Sequence, residues 1–468
     1  MQAVPDTDKY HVAPGADCHV RDVPRTLGLV ALHTQFPQHY PHLLQSADQG
    51  RFDILFACPG DSLVLHASGE LTGWHGTSGA NDFLASLDDW WSTQPAEQCE
   101  QQSLPFTGGW FVYLGYELAG QIEPRLQLPV ADNVMPVAIA TRFGSAIIHD
   151  RESGATVIMA EPGYTDCIAQ IEQDIANLPA ADATDRVDTS RNDAIEEAQP
   201  GQYLDAIARI HHYIREGDVF QVNLSRHWQL TAEEPVDVAA LYRNLRQQNP
   251  SPFGGIARWD TAAIVSSSPE RLVRVQGRMV ETRPIAGTRP RSDSNEADAA
   301  WAQELLAHPK ERAEHIMLID LERNDLGRIC KPGTVNVDEF MVLESYAHVH
   351  HIVSNVRGEL RPEVTPGQVI RAVFPGGTIT GCPKVRCMEI IAELEQQPRG
   401  AYTGSMGYIN RDGSMDLNIL IRTMTVTDKH IHLRAGAGIV ADSVAAAELE
   451  ETRAKARGLL RALGATDS

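Results

Sequence analysis

The stretch FPGGTITGCPKVRCMEII, residues 374–391, is a glycine-rich turn that leads directly into an amphipathic helix. Gly376 and Gly381 flank four residues, as in a P-loop, but that motif ends in Gly-Lys-Ser/Thr and here Cys382 follows the glycine. Apolar residues then recur at helical spacing, at Val385, Met388, Ile391 and Leu394. The stretch predicts free amides at a positive helix end, which suits an anion. A turn that only caps a helix is the commoner arrangement, so the rest of the chain has to decide.

The bulk properties are those of a large soluble globular protein. The chain has 468 residues, of which 43% are hydrophobic and 22% charged, enough for two lobes or one very large domain. A formal net charge of −22 argues against a nucleic-acid partner, because a phosphate backbone would be repelled. The seven cysteines include no CxxC pair, which is typical of reduced thiols. With no signal peptide and no long apolar run, we expect a cytoplasmic protein without a membrane partner.

A polar, acidic segment over residues 178–200 has the composition of a linker. We therefore predict an N-terminal region over 1–180, a linker over 181–200 and a C-terminal region over 201–465. In the first region, RFDILFACPGDSLVLH (51–66) predicts two strands about a turn. In the second, QYLDAIARIHHYIREGD (202–218) predicts a helix and FQVNLSRHWQL (220–230) a strand. Because strands and helices do not alternate regularly, the fold class is α+β.

Two pairs of acidic residues have the spacing of one helix face. Glu311 and Glu314 lie three residues apart in one predicted helix, and Glu448 and Glu451 lie three residues apart in another. Two such helices that meet would form an oxygen-rich site, which hard cations such as Mg²⁺ prefer. Solvated helix charge is the commoner explanation of each pair taken alone, and the spacing does not establish that the helices meet.

Three further features suit an anion or a metal. Arg422 follows an apolar strand-like run and could clamp a carboxylate, or form a structural ion pair. Gly436 and Gly438 in RAGAGIVADS either let backbone amides approach an anion or permit a bend. The histidines of YAHVHHIVS (346–354) do not share one strand face, and no cysteine or histidine completes a zinc spacing, so we do not expect zinc.

Seven blocks occur in order along the chain: SSSPERL, ETRPIAGTRPR, ERAEHIMLIDLERNDLGRIC, HHIVSNVRGEL, FPGGTITGCPKVRCMEIIAELE, GSMGYINRDGSMDLNILIRT and AGAGIVADSVAAAELEETRAKA. Together they resemble the chorismate-utilising enzymes, the family that includes anthranilate synthase component I, aminodeoxychorismate synthase component I and the isochorismate and salicylate synthases. The resemblance covers residues 203–462 and continues more weakly through the N-terminal half. It implies an α+β fold of two large antiparallel sheets packed together with helices outside, and a chorismate-binding catalytic region.

The same resemblance implies roles for residues that match the family's motifs. Glu314 and Glu451 match ligands of a Mg²⁺ ion that binds the ring carboxylate of chorismate, and Glu311 and Glu448 match acids behind them. Lys455 matches a lysine near that carboxylate.

On the substrate's other groups, Tyr402 and Arg422 match a clamp on the enolpyruvyl carboxylate. Glu270 and His351 match groups beside the C4 hydroxyl, where proton delivery helps water to leave. The remaining matches are the amides around Gly436 and Gly438 in the anion site, the hydroxyl of Thr288 facing the ring, and the loop residues Thr378 and Thr380, which would line a carboxylate site.

Gln221 bears on which chorismate reaction is expected. Relatives that add water carry a lysine base here, whereas relatives that use ammonia are similar to this chain in carrying glutamine. The resemblance therefore favours amination, with ammonia from a separate glutamine amidotransferase subunit, because no glutaminase module is visible in the sequence. Isochorismate synthase and a non-catalytic chorismate-binding protein are more distant alternatives.

The motifs disagree on which of the two amination reactions the chain catalyses. The QVNLS block and the N-terminal blocks 41–61 and 106–124 are most similar to aminodeoxychorismate synthase component I, which makes 4-amino-4-deoxychorismate for 4-aminobenzoate and folate. Ala286, however, matches anthranilate synthase component I, since many aminodeoxychorismate synthases carry a covalent lysine there. We expect the former activity and keep the latter as the alternative. The LLQS stretch before Ala47 resembles a tryptophan-site motif of the family, although a core helix is the simpler account.

Overall fold

The computed structural model describes residues 18–24, 27–47, 50–74, 81–94, 104–129, 135–179, 195–292, 294–345 and 349–465. The strands of these ranges are β1 (His19–Asp22), β2 (His42–Gln45), β3 (Phe52–Ala57), β4 (Ser62–Leu65), β5 (Leu71–Gly73), β6 (Gly109–Leu114), β7 (Ala138–Phe143), β8 (Ser145–Asp150), β9 (Thr156–Ala160), β10 (Ile195–Glu197), β11 (Gln221–Thr231), β12 (Phe253–Trp259), β13 (Ala262–Ser268), β14 (Arg271–Gln276), β15 (Met279–Thr282), β16 (Ile285–Pro290), β17 (Asn336–Ser345), β18 (Val349–Glu359), β19 (Gly381–Cys382), β20 (Ser405–Asn410), β21 (Met415–Asn418), β22 (Thr423–Thr427) and β23 (His430–Ile439). The α-helices are α1 (Leu29–Gln35), α2 (Phe83–Ser92), α3 (Ala119–Ile122), α4 (Thr165–Asn177), α5 (Pro200–Arg215), α6 (Val238–Gln248), α7 (Asn295–Ala307), α8 (Pro309–Gly327), α9 (Pro366–Val373), α10 (Lys384–Glu395) and α11 (Ala445–Ala462).

The strands form two large sheets in which every strand pairing of the described residues is antiparallel. The first sheet has the order β1-β9-β8-β3-β2-β12-β13-β22-β23-β11-β10, and β19 also pairs with β11. The second has the order β16-β18-β15-β14-β21-β20-β6-β7-β4-β5, and β17 also pairs with β18. The predicted α+β fold of two large antiparallel sheets with helices is confirmed.

Alternation along the strands explains how both faces of each sheet are buried. In β3, Ile54 and Phe56 join a cluster with side chains from both sheets, whereas Leu55 packs among helices α1, α4, α6 and α11. In β6, Phe111 joins the shared cluster, and Trp110 packs on the opposite face with α2, α8 and α9. The sheets therefore pack face to face, with helices over their outer faces.

Most local predictions agree with these elements, with one difference in pairing. The predicted helix over 202–218 is α5, ending before Gly217 in a left-handed conformation (φ +82°), and the predicted strand over 220–230 is β11. The two strands predicted in residues 51–66 are β3 and β4, but they do not form a hairpin. β3 pairs in the first sheet and β4 in the second, so the turn between them carries the chain from one sheet to the other.

The LLQS stretch is not a helix, so the interpretation of this stretch as a core helix was wrong. Leu43 and Leu44 lie in β2, which pairs with β3 and β12. Ser46, just beyond the strand, lines a cavity of about 1010 Å³ together with Phe253 and Met406. Strand pairing outweighs the helical propensity of the two leucines here, because tertiary context overrides weak local preference.

Strands from both predicted regions contribute to both sheets. Residues 181–194 of the predicted linker lie outside the described residues; Ile195–Glu197 forms β10 and pairs with β11. Among the described cysteines five are free, whereas Cys18 is disulfide-bonded, so the expectation of reduced thiols does not hold for Cys18. No helix of the described ranges is both long and apolar enough to cross a bilayer.

Candidate active site

Glu270 and Arg422 lie in two neighbouring connections that cross from one sheet to the other. Glu270 lies between β13 of the first sheet and β14 of the second, and Arg422 lies between β21 of the second and β22 of the first. The Glu270 carbonyl accepts a 3.0 Å hydrogen bond from the N–H of Ile419, and the Arg422 carbonyl accepts one of 3.1 Å from the N–H of Ser267. The two charged side chains therefore come from adjacent crossovers, where the backbone is only partly engaged in the hydrogen bonds of either sheet.

The carboxyl group of Glu270 is buried, and burial raises its pKa to about 7. The Thr378 hydroxyl, the charges of Lys455 and Arg422 and the backbone N–H of Ile285 oppose this rise. Neither Glu270 Oε1 nor Thr378 Oγ1 has a well-oriented hydrogen-bond partner within the described protein, although both atoms are buried. Glu270 therefore exchanges a proton near neutrality in a site that presents unpaired polar atoms, which is typical of a functional carboxyl group.

Arg422 presents a guanidinium group without a partner in the described part of the chain. Its backbone is left-handed (φ +51°), and none of the described side chains forms an ion pair or hydrogen bond with its guanidinium. Burial lowers its pKa, and the charge of Glu270 opposes that effect. A desolvated, unpaired guanidinium is a strong site for a ligand carboxylate, because it offers two parallel N–H donors.

His351 lies in β18, opposite Thr288 of β16 in the strand register. Burial, followed by the positive charge of Arg422, lowers the pKa of His351 to about 4, so the imidazole is neutral at pH 7. Its Nδ1 lies 3.4 Å from the carbonyl of Gly287, an acceptor, which places the ring proton on Nδ1. The side chain of Thr288 lies outside the described residues, so its predicted position facing the ring stays a prediction.

The neighbouring histidines have other surroundings. His350 approaches Asp298 at 3.0 Å through Nε2 and Ser345 at 2.7 Å through Nδ1, so both ring nitrogens are engaged within the protein. His348 lies outside the described residues.

Strands β11 and β23 form the opposite wall of the site. Gly438 pairs with Asn223, and Gly436 pairs with Ser225. A Cβ at position 438 would lie 2.4 Å from Gln221 Nε2, and one at position 436 would lie 2.7 Å from the Tyr402 hydroxyl. The two glycines therefore make room for these side chains. Gln221 Oε1 and Asn223 Oδ1 are buried without a hydrogen-bond partner among the described residues, so this wall also presents unpaired polar atoms.

Helix α11 brings Lys455 and one acidic pair to the same wall. Lys455 Nζ donates to the Gly436 carbonyl at 3.0 Å and forms an ion pair of 2.8 Å with Glu451, one turn earlier. The charges of Glu448 and Glu451 both act on Tyr203 of α5, whose hydroxyl lies 3.5 Å from the Leu224 carbonyl of β11, so the pair lies beside that strand. The positive charge of Lys455 also acts on the carboxyl group of Glu270. Helix α11 therefore connects the wall formed by β11 and β23 with Glu270 at the crossover.

The other acidic pair lies on α8 beside β16. Glu311 forms an ion pair of 3.2 Å with Arg289 and lies against Gly287, where a Cβ would be 2.9 Å from its Oε2. Glu314 follows on the same helix. In the described ranges no three His, Cys, Asp or Glu side chains lie close enough together to hold a metal ion, so the two pairs do not form a closed cage. The all-carboxylate donors do fit Mg²⁺, which takes one or two protein carboxylates with water and an anionic ligand.

The loop that opens α10 does not hold a phosphate with its lysine. Lys384 is partly buried, and its Nζ lies 2.5 Å from Asp325 Oδ2 and 3.1 Å from the Val373 carbonyl. Thr380 Oγ1 donates to the Gly376 carbonyl at 2.9 Å, so this hydroxyl closes the turn. Of the two threonines predicted to line the site, Thr378 approaches the Glu270 carboxyl through its hydroxyl, whereas the Thr380 hydroxyl is used within its own turn.

Two residues that sequence reasoning did not assign to the site lie within it. Asn223 shares a strand face with Gln221, two residues away, and that period-two spacing was the available signal. Glu322 is buried on α8; burial raises its pKa, and the charge of Glu270 adds to that rise. Its place on the buried stripe with Leu318 and Asp325 is visible in the sequence as an acid at an apolar helical position.

Comparison with known proteins agrees with this geometry. A family model described as chorismate binding enzyme matches residues 40–461. The aminodeoxychorismate synthase component 1 of Bacillus subtilis is 40% identical over 90% of this chain and 91% of its own length. An anthranilate synthase component I-like protein of Synechocystis is 42% identical over 77% of this chain and 74% of its own.

Among solved structures, anthranilate synthase component I from Streptococcus pneumoniae superposes with a TM-score of 0.78 and 33% identity, covering 88% of this chain and 92% of that one. Relatives of both kinds thus match at similar identity and over most of their length, and the family model spans nearly the whole chain. The chain belongs to the family of chorismate-binding enzymes.

Proposed function

We propose that this chorismate-utilising enzyme acts as aminodeoxychorismate synthase component I. It would replace the C4 hydroxyl of chorismate by an amino group from ammonia, releasing water and giving 4-amino-4-deoxychorismate for 4-aminobenzoate and folate synthesis. The observation that carries the choice of nucleophile is the pair Gln221 and Asn223, whose amide oxygens are buried and unpaired beside Gly436 and Gly438. Amide oxygens accept hydrogen bonds from ammonia but do not deprotonate water.

Glu270 supplies the proton for the leaving hydroxyl. With a pKa of about 7, raised by burial, it holds a proton in about half of the molecules at neutrality. His351, whose pKa is lowered to about 4, is neutral there and positions the hydroxyl instead of protonating it. Ammonia then forms a bond to C4 as the C4–O bond breaks, and the Glu270 proton leaves with the oxygen as water.

The unpaired guanidinium of Arg422 and the hydroxyl of Tyr402 would bind the enolpyruvyl carboxylate, and Lys455 would lie near the ring carboxylate. Burial raises the pKa of Tyr402 to about 12, so its hydroxyl remains a donor at any working pH. A Mg²⁺ ion would be held by Glu314 and Glu451, with Glu311 and Glu448 behind them, and would neutralise the charge of the bound ring carboxylate.

Anthranilate synthase component I is the second candidate, and Ala286 favours it. Ala286 lies in β16 next to Ile285, whose N–H acts on Glu270, so position 286 borders the site and carries no nucleophile. A covalent intermediate at this position is therefore excluded for either reaction. Its small side chain leaves room near the ring, which would also admit attack at C2 followed by pyruvate loss.

Ammonia would come from a separate glutamine amidotransferase subunit in the cytoplasm. The aminodeoxychorismate relative spans 91% of its own length in the match, which supports an equivalent component I here. In the absence of that partner, free ammonium at alkaline pH would serve as the nitrogen source.

Product separation tests the proposal. The purified chain is incubated with chorismate, Mg²⁺ and ammonium, and the products are resolved by chromatography before and after addition of a lyase that aromatises 4-amino-4-deoxychorismate. We expect 4-aminobenzoate only after the lyase, and no product from a Glu270→Ala variant prepared identically. Anthranilate as the main product without the lyase would establish the second candidate instead.

A further inference from the structure

Two thiols of the N-terminal region meet where β3 ends and α4 begins. Cys58 follows β3 directly, and its N–H donates to the His39 carbonyl at 2.9 Å. Cys167 lies in the first turn of α4. The thiols contact each other as hydrogen-bond partners, and both approach the hydroxyl of Ser145. Both side chains are partly exposed and pack against the same apolar cluster.

Strand pairing explains why residues so distant in sequence meet here. Ala57 pairs with Ser145 in β8, and Ser145 pairs in turn with Ala160 in β9, whose end leads through a short turn into α4. Ser145 Oγ also donates to the Ala57 carbonyl at 2.9 Å. The contact between the thiols is thus set by three adjacent strands and is not an accident of one mobile loop.

The surroundings make the two thiols unequal. The contact with Cys58 lowers the pKa of the Cys167 thiol, and the first turn of a helix favours a thiolate. The same contact, with burial and the nearby charge of Asp174, raises the pKa of Cys58. Asp174 is itself held by His39 at 2.8 Å and by the Tyr40 hydroxyl at 2.9 Å, so its charge is fixed beside Cys58.

We propose that Cys58 and Cys167 form a redox modification site, a dithiol that low-molecular-weight disulfides of the glutathione class convert to an internal disulfide. Cys167 is the attacking thiolate and Cys58 the resolving thiol. A packed pair of inert core thiols is the alternative. Cys330 and Cys387 illustrate that alternative, since both are buried and burial raises their pKa.

The reaction balances as two thiol–disulfide exchanges. The Cys167 thiolate attacks one sulfur of the small disulfide, forms a mixed disulfide and releases one small thiolate. Cys58 loses its proton to solvent, and its sulfur attacks Cys167 Sγ, which releases the second small thiolate. The protein loses two protons and two electrons, and one small disulfide becomes two small thiols.

The test uses the full chain, reduced, desalted and then incubated with oxidised glutathione. Free thiols are blocked by alkylation, and the unreduced protein is digested with chymotrypsin, which can cut after Phe56 and Tyr164 and so separates both sites from Cys18. We expect a linked pair of peptides carrying Cys58 and Cys167, lighter by two hydrogens than the sum of the reduced peptides.

Variants assign the roles. In Cys58→Ser the glutathione adduct should remain on Cys167, because the resolving thiol is missing, whereas the control Cys382→Ser should still form the linked peptides. If the wild-type protein yields Cys58 and Cys167 only as separately alkylated or separately glutathionylated peptides, the proposal is wrong. Because that measurement needs only the wild-type chain, it stands even where a variant fails to fold.

Discussion

The substitution Gly438→Ala tests whether the wall formed by β11 and β23 positions the nucleophile. The new Cβ would lie 2.4 Å from Gln221 Nε2 and 3.2 Å from its Cδ, whereas ordinary contacts begin at 3.4 Å. The end of the Gln221 side chain must therefore withdraw by about 1 Å, and a misplacement of that size costs on the order of a hundredfold in rate, or about 2.7 kcal/mol of transition-state stabilisation.

The assay is kcat/KM for ammonia-dependent consumption of chorismate, with thermal unfolding of each variant as the control for folding. We expect Gly438→Ala to lose on the order of a hundredfold in kcat/KM while keeping its unfolding temperature, because a flexible side-chain end yields and the backbone need not move. Gly201→Ala, at a helix position with nothing within 4 Å, is the matched control and should behave as the wild type. A folded Gly438→Ala enzyme within twofold of the wild type would refute the assigned role of Gln221.

The remaining predictions concern three carboxyl groups. Because Glu270 must carry a proton and its pKa is raised to about 7, kcat/KM calculated per free ammonia should fall about tenfold for each pH unit above 7; Glu270→Gln should lose this limb along with most activity, and a flat profile would contradict the assignment. Burial raises the pKa of Glu322, so the unfolded state releases that proton first and stability falls as pH rises from about 4.3 to the folded pKa, by about 1.4 kcal/mol per pH unit. Glu322→Gln removes this loss. In urea unfolding, the free energy of unfolding of the variant relative to the wild type should therefore be higher at pH 8 than at pH 5; the same difference at both pH values would contradict the prediction. Glu451→Gln should abolish Mg²⁺-dependent turnover without unfolding the protein, whereas Glu450→Gln, one residue earlier and paired with Arg453 at the surface, should not; full activity of Glu451→Gln in chelating buffer would exclude the metal role.

The sequence predicts most of the local structure because its periodicity is strong. The apolar stripe of α5 and the alternation in β11 each depend on side chains that repeat at one spacing, and both elements form as predicted. Pairing is less predictable, because the turn after Ala57 sends β3 and β4 into different sheets and no local signal encodes that choice. Tertiary contacts also determine the structure of the LLQS stretch, whose first three residues belong to strand β2.

The candidate site could also be predicted from the sequence only in part. Family motifs bring Glu270, Arg422 and His351 to one place, since adjacent crossovers and β18 carry them. The Thr380 hydroxyl closes its own turn, a contact that a sequence does not reveal. The participation of Glu322 depends on burial beside Glu270, which follows only once α8 packs beneath the loop at Gly377.

The most direct test of the central claim measures nitrogen and pyruvate together. Chorismate is turned over with ¹⁵N-labelled ammonium and Mg²⁺ in the absence of any lyase, and the labelled product and free pyruvate are quantified against the chorismate consumed. Amination at C4 predicts one labelled nitrogen in a product that keeps its enolpyruvyl group, and no pyruvate. Pyruvate equimolar with a labelled, fluorescent anthranilate would contradict the account and place the chemistry at C2.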